Sequence, residues 1–525
     1  MSKVSIDLRH APTSFSAVRD RSSFVGLMGP VGSGKSHGFG CGKLMAHANM
    51  QPIQADGWKR SRYAVIRNTG PELKSTTIKT FTAVFPEGPH GRVIYSAPIT
   101  YRMQFPPRNG EPGLDIEIMF LALDNAQDVR KLLSLELTGA FVNEAREIHP
   151  AIVDALTGRI GRYPSMKDGG CYLPQIWADT NPPDDENWWF EKFETPQQPV
   201  KFKMPNGELV DLSYKLYKQP PAVLELKELS SGKFESIEPG YDWVYDKSEV
   251  LPAAGKFWGI NPEAENLPNL IPTYYANQVI GKSEAYIRVY VQGKYGYVQT
   301  GKPVVPEFNE LLQVVDFPVL KDEPLRIGMD IGGGTLCPAA VIGQKHPYGT
   351  NLIHSEVCAK DMGVENFCKL LKDHINMKYP GMDVEEVTTD PAAEKRDEVF
   401  ETKVNEYLRA AGFTVRPAPT NDPMIRRQAI ADPCSRIIQG KPALLINARC
   451  RMLISGLRGK WDFKKLAVKG QDAYSEKPSK NEYSHPCDAA GYLLLGMGEA
   501  RPSLNGRSKK TKQAMSSGWQ AKDGF

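Results

Sequence analysis

The sequence predicts two successive α/β domains, and three observations carry that prediction. Short apolar runs of buried-strand length alternate with helical patterns from about residue 20 to 185, and the alternation returns from about 305 to 500. Between them, residues 186–304 are rich in Pro, Lys, Trp and Tyr, with little periodicity and with turn signals such as MPNGE and EPGYD. The length of 525 residues allows two to four domains at ~100–200 residues each, every one long enough to bury a core. The expected division is 1–250 for the first domain, 251–304 for a linker subdomain, 305–500 for the second domain and 501–525 for a tail.

In chain order, the first domain's strands are read in SSFVGLMG, RYAVIRN, LDIEIMFLAL, LTGAFVNE and LPQIWADT. Trp188, Trp189 and the Lys/Tyr-rich segment 214–245 read as a local apolar core rather than a docking surface. The second domain's strands are LRIGMDIGGGT, PAAVIGQ, TNLIHSEVCA, VEEVTTD and PALLINA, with helices in GVENFCKLLKDHINM and CDAAGYLLLGM. From Arg501 the chain carries Arg507, Lys509, Lys510, Lys512 and Lys522 against Asp523 alone, which reads as a flexible basic extension.

Composition narrows the class. Hydrophobic residues make up 41% and charged residues 24%, which excludes a disordered tether or a fibrous repeat. No uncharged stretch reaches the ~18 apolar residues of a membrane span, and Lys3, Asp7 and Arg9 stand where a signal peptide needs an apolar run. A soluble chain that is not exported and meets no membrane is expected. The net charge of +4 is too small to argue nucleic-acid binding by itself. The eight cysteines contain no CxxC pair, which argues against zinc and against a disulfide framework, and for a reducing cytoplasm.

The first candidate site is a phosphate loop. Gly29-Pro30-Val31-Gly32-Ser33-Gly34-Lys35-Ser36 fits GxxxxGK[ST] in full and follows the apolar run Phe24 to Met28. Its backbone N–H groups would curl around the phosphates of ATP, Lys35 would reach the β- and γ-phosphates, and Ser36 would ligate Mg2+. An ATPase also needs an acid near the metal and the attacking water. The strand ending in Asn143-Glu144 offers Glu144 as the water-orienting base. Asn143 stands where an Asp is usual, bringing no charge to the metal. Asp179-Thr180-Asn181-Pro182 ends a further strand, where open α/β sheets bind ligands, so Thr180 and Asn181 could sense the γ-phosphate. Charge developing on the transferred phosphoryl group calls for an arginine, and Arg67, Arg130, Arg159 and Arg162 are the candidates.

The second candidate site is a set of carboxylates. Asp330 and Asp390 end strands and Asp488 opens a helical segment, so the three could share two Mg2+ or Mn2+ ions about 4 Å apart and cut a phosphodiester. A rival reading takes Met329-Asp330-Ile331-Gly332-Gly333-Gly334-Thr335 as resembling the first phosphate hairpin of actin-like and sugar-kinase ATPases, which would give a second ATP site. Downstream, KNEYSHPCD places a Lys and a His just before the third acid.

The order of these motifs resembles the large terminase subunit of tailed bacteriophages, a DNA-packaging ATPase and nuclease, over about residues 20–498. The pieces that carry the resemblance are GPVGSGKS, FVNEAREIHP, GRIGRYPS, ADTNPPDDENWW, MDIGGG, TDPAAEKRDE and KNEYSHPCDAAGYLLLG. It implies an N-terminal P-loop NTPase domain and a C-terminal ribonuclease H-like nuclease domain, joined by a linker subdomain. It implies that Lys35, Ser36 and Glu144 match ATPase positions, that Thr180 and Asn181 match the coupling motif, and that Asp330, Asp390 and Asp488 match the nuclease acids. Double-stranded DNA, a portal protein and a small terminase subunit would be partners. Five copies would form a ring on the procapsid, in the cytoplasm of the host.

Two departures stand out: Asn143 in place of an acid, and Pro30 where some of these proteins carry an arginine. The arginine finger would then lie elsewhere, with Arg130 acting on a neighbouring subunit. Arg67 resembles the family's arginine after the second strand. The competing classes are an ATP-dependent helicase-nuclease of DNA repair and a non-hydrolysing nucleotide-binding scaffold.

Overall fold

The computed structural model describes residues 6–500 except 89–90, 109, 196–199, 204–206, 208, 299–300, 332–336, 392–403, 467–472 and 476. The expected basic tail, 501–525, and the glycine turn of the actin-like alternative, 332–335, lie outside the described residues, as does most of the TDPAAEKRDE segment. The chain divides into two compact units, Met1–Val298 and one that begins at Gln299.

In the first unit an eight-stranded sheet forms the centre. Its strands in chain order are β1 (Phe24–Met28), β2 (Trp58–Arg67), β3 (Gly91–Ile94), β4 (Ile99–Phe105), β5 (Gly113–Ala122), β6 (Gly139–Asn143), β7 (Gln175–Thr180) and β8 (Tyr214–Lys218). In space they run β8-β1-β7-β6-β2-β5-β4-β3, with β4 antiparallel to both β5 and β3 and every other pair parallel. The strands β1, β6 and β7 are buried at every position, because helices cover both faces of a parallel sheet. Phe24, Val25, Leu27 and Met28 are each at most 2% exposed, and burial of such side chains contributes about 1.5–3 kcal/mol apiece.

The sequence reading placed five of these strands. It did not find β3, β4 or β8, whose half-exposed patterns lack a continuous apolar run. Trp188 and Trp189 are buried in the Trp188–Glu194 helix, where Trp189 and Phe193 fill the space left by Gly26 of β1. They form core, as expected.

Residues 223–260 make a separate antiparallel sheet, ordered Val244–Tyr245, Phe234–Ser236, Val223–Glu228, Lys256–Ile260 and Leu251–Ala253. Strands this short and half exposed leave little periodicity in the sequence. Residues 251–298, read from sequence as part of a linker, lie within the first unit and reach its phosphate loop. There the Tyr290 carbonyl accepts from Val31 N (2.8 Å) and Asn266 Nδ2 donates to the Gly32 carbonyl (2.7 Å).

The second unit is built on a six-stranded sheet in the order Val415–Pro417, Val384–Thr389, Leu325–Asp330, Ala339–Lys345, Asn351–Cys358 and Leu444–Ile446. The central Leu325–Asp330 strand pairs parallel with Val384–Thr389 and antiparallel with Ala339–Lys345. Helix Val364–Lys378 buries Phe367, Cys368, Leu371 and Ile375 on one stripe, as the 3.6-residue repeat requires. Helix Ser484–Gly496 lies against the central strand at Gly328, where any Cβ would overlap the Ala489 carbonyl and Leu493 N. This helix starts before Asp488, which sits in its second turn rather than opening it.

Candidate functional site

The phosphate loop joins β1 to a helical segment, Lys35–Cys41, that continues as helix Gly42–Met50. Gly32 and Gly34 hold φ of +78° and +79°, a backbone region that favours glycine, and this lets the loop turn back over β1. The Lys35 ammonium is folded into its own loop. It donates to the Gly29 carbonyl (3.0 Å), the Pro30 carbonyl (2.7 Å) and Asn181 Oδ1 (3.0 Å). Burial pushes its pKa down, while the negative charges of Glu144 and Asp179 oppose that shift. Ser33 Oγ donates to the Pro30 carbonyl at 2.7 Å, closing the turn.

Strand order decides what faces Ser36. Because β7 runs between β1 and β6, Asp179 pairs in register with Leu27 on one side and Asn143 on the other. Alternation along β7 puts Asp179 on the same face as Trp177, whose Nε1 donates to the Gly40 carbonyl under the loop helix. Ser36 Oγ donates to Asp179 Oδ2 (2.5 Å), and Asn143 Nδ2 donates to Asp179 Oδ1 (2.8 Å) and to Ser36 Oγ (3.0 Å). Thr77 Oγ1 donates to Asn143 Oδ1 (2.7 Å), which holds the amide in that orientation. Asp179 is 0% exposed; burial, and then the charge of Glu144, push its pKa up against the Ser36 and Asn143 donors.

Glu144 sits at φ +52°, ψ +56°, a left-handed conformation uncommon outside glycine, and its backbone N donates to Asp179 Oδ1 at 3.0 Å. Its Oε1 accepts from Asn181 Nδ2 (3.5 Å), while its buried Oε2 has no hydrogen-bond partner among the described residues. Asn181 therefore bridges Lys35 and Glu144, the two groups that sequence assigned to phosphate and water. Thr180 Oγ1 instead donates to the Asn181 carbonyl at 2.8 Å, holding the turn after β7.

The candidate arginines fall in different places. Arg67 ends β2, where it pairs with Glu147 (2.7 Å) and Glu72 (3.3 Å). Arg130 is exposed on the short Val129–Leu132 helix. Sequence reasoning overlooked Arg146. It lies two residues after Glu144, with Nη2 donating to the Tyr290 hydroxyl (3.0 Å) and the guanidinium 5.1 Å from that ring's centre. Its place in FVNEARE was visible, but its proximity to the site depends on residue 290. Asp179 was read only as one polar group in a turn. Its strand-end position facing the same side as Trp177 was the available signal.

In the second unit, parallel register sets Met329 beside Thr389, so Asp330 and Asp390 leave the sheet at one edge. His485 Nδ1 lies 2.8 Å from Asp330 Oδ2. Asp488, 2% exposed, accepts from Arg426 Nε on Oδ1 (2.8 Å) and from Lys480 Nζ on Oδ2 (2.5 Å). Arg426 also donates to the Tyr492 hydroxyl (2.8 Å) and to Asn421 Oδ1 (2.9 Å). Burial pushes the Tyr492 pKa up, Arg426 opposes, and the charges of Asp390, Asp330 and Asp488 add to the rise, so all three acids lie within electrostatic reach of this hydroxyl. Among the described residues no group of three or more acidic, His or Cys side chains is disposed to hold one metal ion.

No protein-family model matches the sequence, and no curated protein matches it. The fold is similar to several solved structures at low identity. The large terminase of bacteriophage HK97 is 10% identical, with a TM-score of 0.38 over 93% of this chain and 95% of that one. The large terminase of a thermophilic bacteriophage is 14% identical, with a TM-score of 0.34 over 93% of this chain and 96% of that one. The nuclease domain of the bacteriophage SPP1 large terminase, solved with bound Mn, is 12% identical, with a TM-score of 0.24 over 35% of this chain and 94% of that one. Likeness at this level leaves the function to the chain's own residues. Among the described residues no helix is long and apolar enough to cross a membrane.

Proposed function

We infer that this chain is a DNA-packaging enzyme with two activities. ATP hydrolysis in the first unit drives double-stranded DNA through a portal into a procapsid, and a ribonuclease H-like second unit cuts the DNA at the start and end of packaging. The observation that carries the reading is the linkage Lys35–Asn181–Glu144, which joins the phosphate-binding cation to the water-orienting acid through the strand end that follows β7. A phosphate entering the loop would draw Lys35 from the Gly29 and Pro30 carbonyls, and Asn181 would transmit that movement to Glu144. Glu144, whose buried Oε2 has no hydrogen-bond partner among the described residues, would accept a proton from the attacking water.

The polar set around Ser36 fits a divalent ion, since a buried carboxylate, Asp179, and the Asn143 amide both contact the Ser36 hydroxyl. Mg2+ bound there, with Ser36 Oγ as ligand, would neutralise charge on the phosphate oxygens. Arg146, beside Glu144, is the candidate for stabilising the transferred phosphoryl group from within the same chain. Arg130, exposed, remains the candidate to act on a neighbouring copy in a ring of five. In the second unit Asp330 and Asp390, which follow neighbouring parallel strands, would hold two Mg2+ or Mn2+. Asp488, the third acid, is engaged by Arg426 and Lys480, so an ion shared with Asp330 and Asp390 would reach it by displacing Lys480. DNA contact would be mainly to phosphate, since packaging must be indifferent to sequence. A small terminase subunit would choose the DNA.

The test is Mn2+-dependent cleavage of plasmid DNA by wild type and Asp330→Ala, with ATP hydrolysis followed in the same tubes. Wild-type cutting, lost in the variant while both hydrolyse ATP, is the expected result. Loss of ATP turnover in Asp330→Ala with no cutting by wild type would assign Asp330 to an actin-like nucleotide site and overturn the reading. ATP binding without turnover, even with DNA and portal present, would return the chain to a nucleotide-binding scaffold.

A further inference from the structure

The acid expected at the end of β6 is absent, and the structure shows a carboxylate one strand away. Asp179, the penultimate residue of β7, is fully buried and touches Ser36 Oγ at 2.5 Å, the atom through which a phosphate-loop serine holds a nucleotide's divalent ion. The donors that Asp179 faces are the Ser36 hydroxyl, the Asn143 amide and the Glu144 backbone N–H, all of them neutral. An ionised carboxylate buried among neutral donors is costly; the charge of Lys35 offsets part of that cost, and an arriving cation at Ser36 would remove more of it. The strained Glu144 backbone and the Thr77-oriented Asn143 amide both hold the carboxylate toward the loop.

We propose that Asp179 is the acid facing the nucleotide-bound divalent ion, moved from β6 to β7, and that Asn143 is its neutral clamp. The proposal rests on the phosphate-loop reading of residues 29–36. It makes Asn143 a requirement rather than a loss. An acid at position 143 would lie 2.8 Å from Asp179 Oδ1, and two carboxylates in contact cannot both stay ionised. It also predicts a reciprocal exchange, because Thr77 can donate to either an amide oxygen or a carboxylate at 143.

The experiment measures binding of a fluorescent ATP analogue to the full chain in Mg2+ and in EDTA, with Mn2+ uptake in the presence of nucleotide followed by electron paramagnetic resonance. The variants are Asp179→Asn, Asn143→Asp, the double exchange N143D/D179N, and Lys35→Ala. Wild type is expected to bind more tightly with Mg2+. Asp179→Asn should lose about 10–100-fold of that enhancement while keeping metal-free binding. Asn143→Asp should lose part of it, and the double exchange should recover it.

If Lys35→Ala loses nucleotide while Asp179→Asn keeps the wild-type Mg2+ enhancement and Mn2+ signal, the phosphate loop stands and this proposal falls. If wild type binds no nucleotide, the phosphate-loop reading falls and takes the proposal with it. Thermal unfolding of each metal-free variant checks folding. Should Asp179→Asn fail to fold, the double exchange decides: recovery of the enhancement supports the relocated acid, and its absence overturns it.

Discussion

Asp179 in the first unit and Asp488 in the second are both buried acids, one near the end of β7 and the other in the second turn of helix Ser484–Gly496, yet their surroundings are opposite. Neutral hydroxyl, amide and backbone donors surround Asp179, whereas Arg426 and Lys480 each take one oxygen of Asp488. A carboxylate held by neutral donors has its pKa pushed up by burial, as that of Asp179 is, and a metal ion beside it would favour the charged form. One held by two cations is already neutralised, and an ion can reach it only by displacing one of them. The two cations differ as well: the Arg426 side chain is 8% exposed and that of Lys480 is 65% exposed. Arg426 is thus the fixed partner and Lys480 the one free to swing into water.

The largest effect is expected from breaking the fixed pair. Arg426→Met leaves Asp488 buried with one exposed partner, and removal of one member of a buried pair costs about 3–5 kcal/mol. The midpoint of denaturant unfolding should shift accordingly for the second unit, reported by its near-ultraviolet circular dichroism. No comparable loss is expected from Asp179→Asn, which removes a buried charge that no cation touches.

Lys35→Ala comes next. Loss of a preorganised donor to the phosphates should lower ATP turnover by on the order of 10²–10³-fold. Plasmid cutting by the same preparation should be unchanged, because the carboxylates of the second unit do not depend on it. A matched fall in both activities would deny that the two sites are independent.

A pH series sharpens the electrostatic contrast. His47 is fully buried and neutral, with Nε2 donating to the Leu173 carbonyl (2.7 Å) and Nδ1 beside the Tyr63 hydroxyl (2.8 Å). Burial takes its pKa down to about 4, with Lys43 adding to the drop. His354 in the second unit, paired with Gln344, is likewise pushed down to about 4, by burial and then Arg449. Each group binds protons more tightly when unfolded. Its contribution is therefore complete above pH 6.5 and lost as pH falls toward 4, by about 3 kcal/mol per residue. Unfolding free energies measured across that window should slope downward with acid in wild type, and His47→Gln should flatten part of the slope.

The smallest stability change belongs to Lys480→Met. Its exposed ammonium contributes at most about 1 kcal/mol, so the unfolding midpoint should barely move. Its effect should appear in metal dependence instead, with half-maximal cutting reached at a lower Mn2+ concentration once the competitor for Asp488 is gone. An unchanged Mn2+ requirement would show that Lys480 does not compete with metal.

Much of this arrangement was legible in the chain itself. The run Phe24–Met28 followed by GPVGSGKS specifies a buried strand and a phosphate loop through local chemistry alone: apolar continuity, glycines for positive φ, and a Lys-Ser pair. The carboxylates Asp330 and Asp390 were likewise readable as strand ends, and the parallel register then set them at one edge.

What only the tertiary structure decided is which strand lies beside which, and which distant cations find the acids. Placing β7 between β1 and β6 puts Asp179 against Ser36 beside the Asn143 amide of β6, and no local pattern encodes that order. The partners of Asp488 come from Pro423–Ser435 and from the segment before Ser484, brought together by a helix that packs closely at Gly328. Local sequence specifies backbone conformation and the chemistry available. Long-range packing selects the neighbours, and in a buried site the neighbours set the charge.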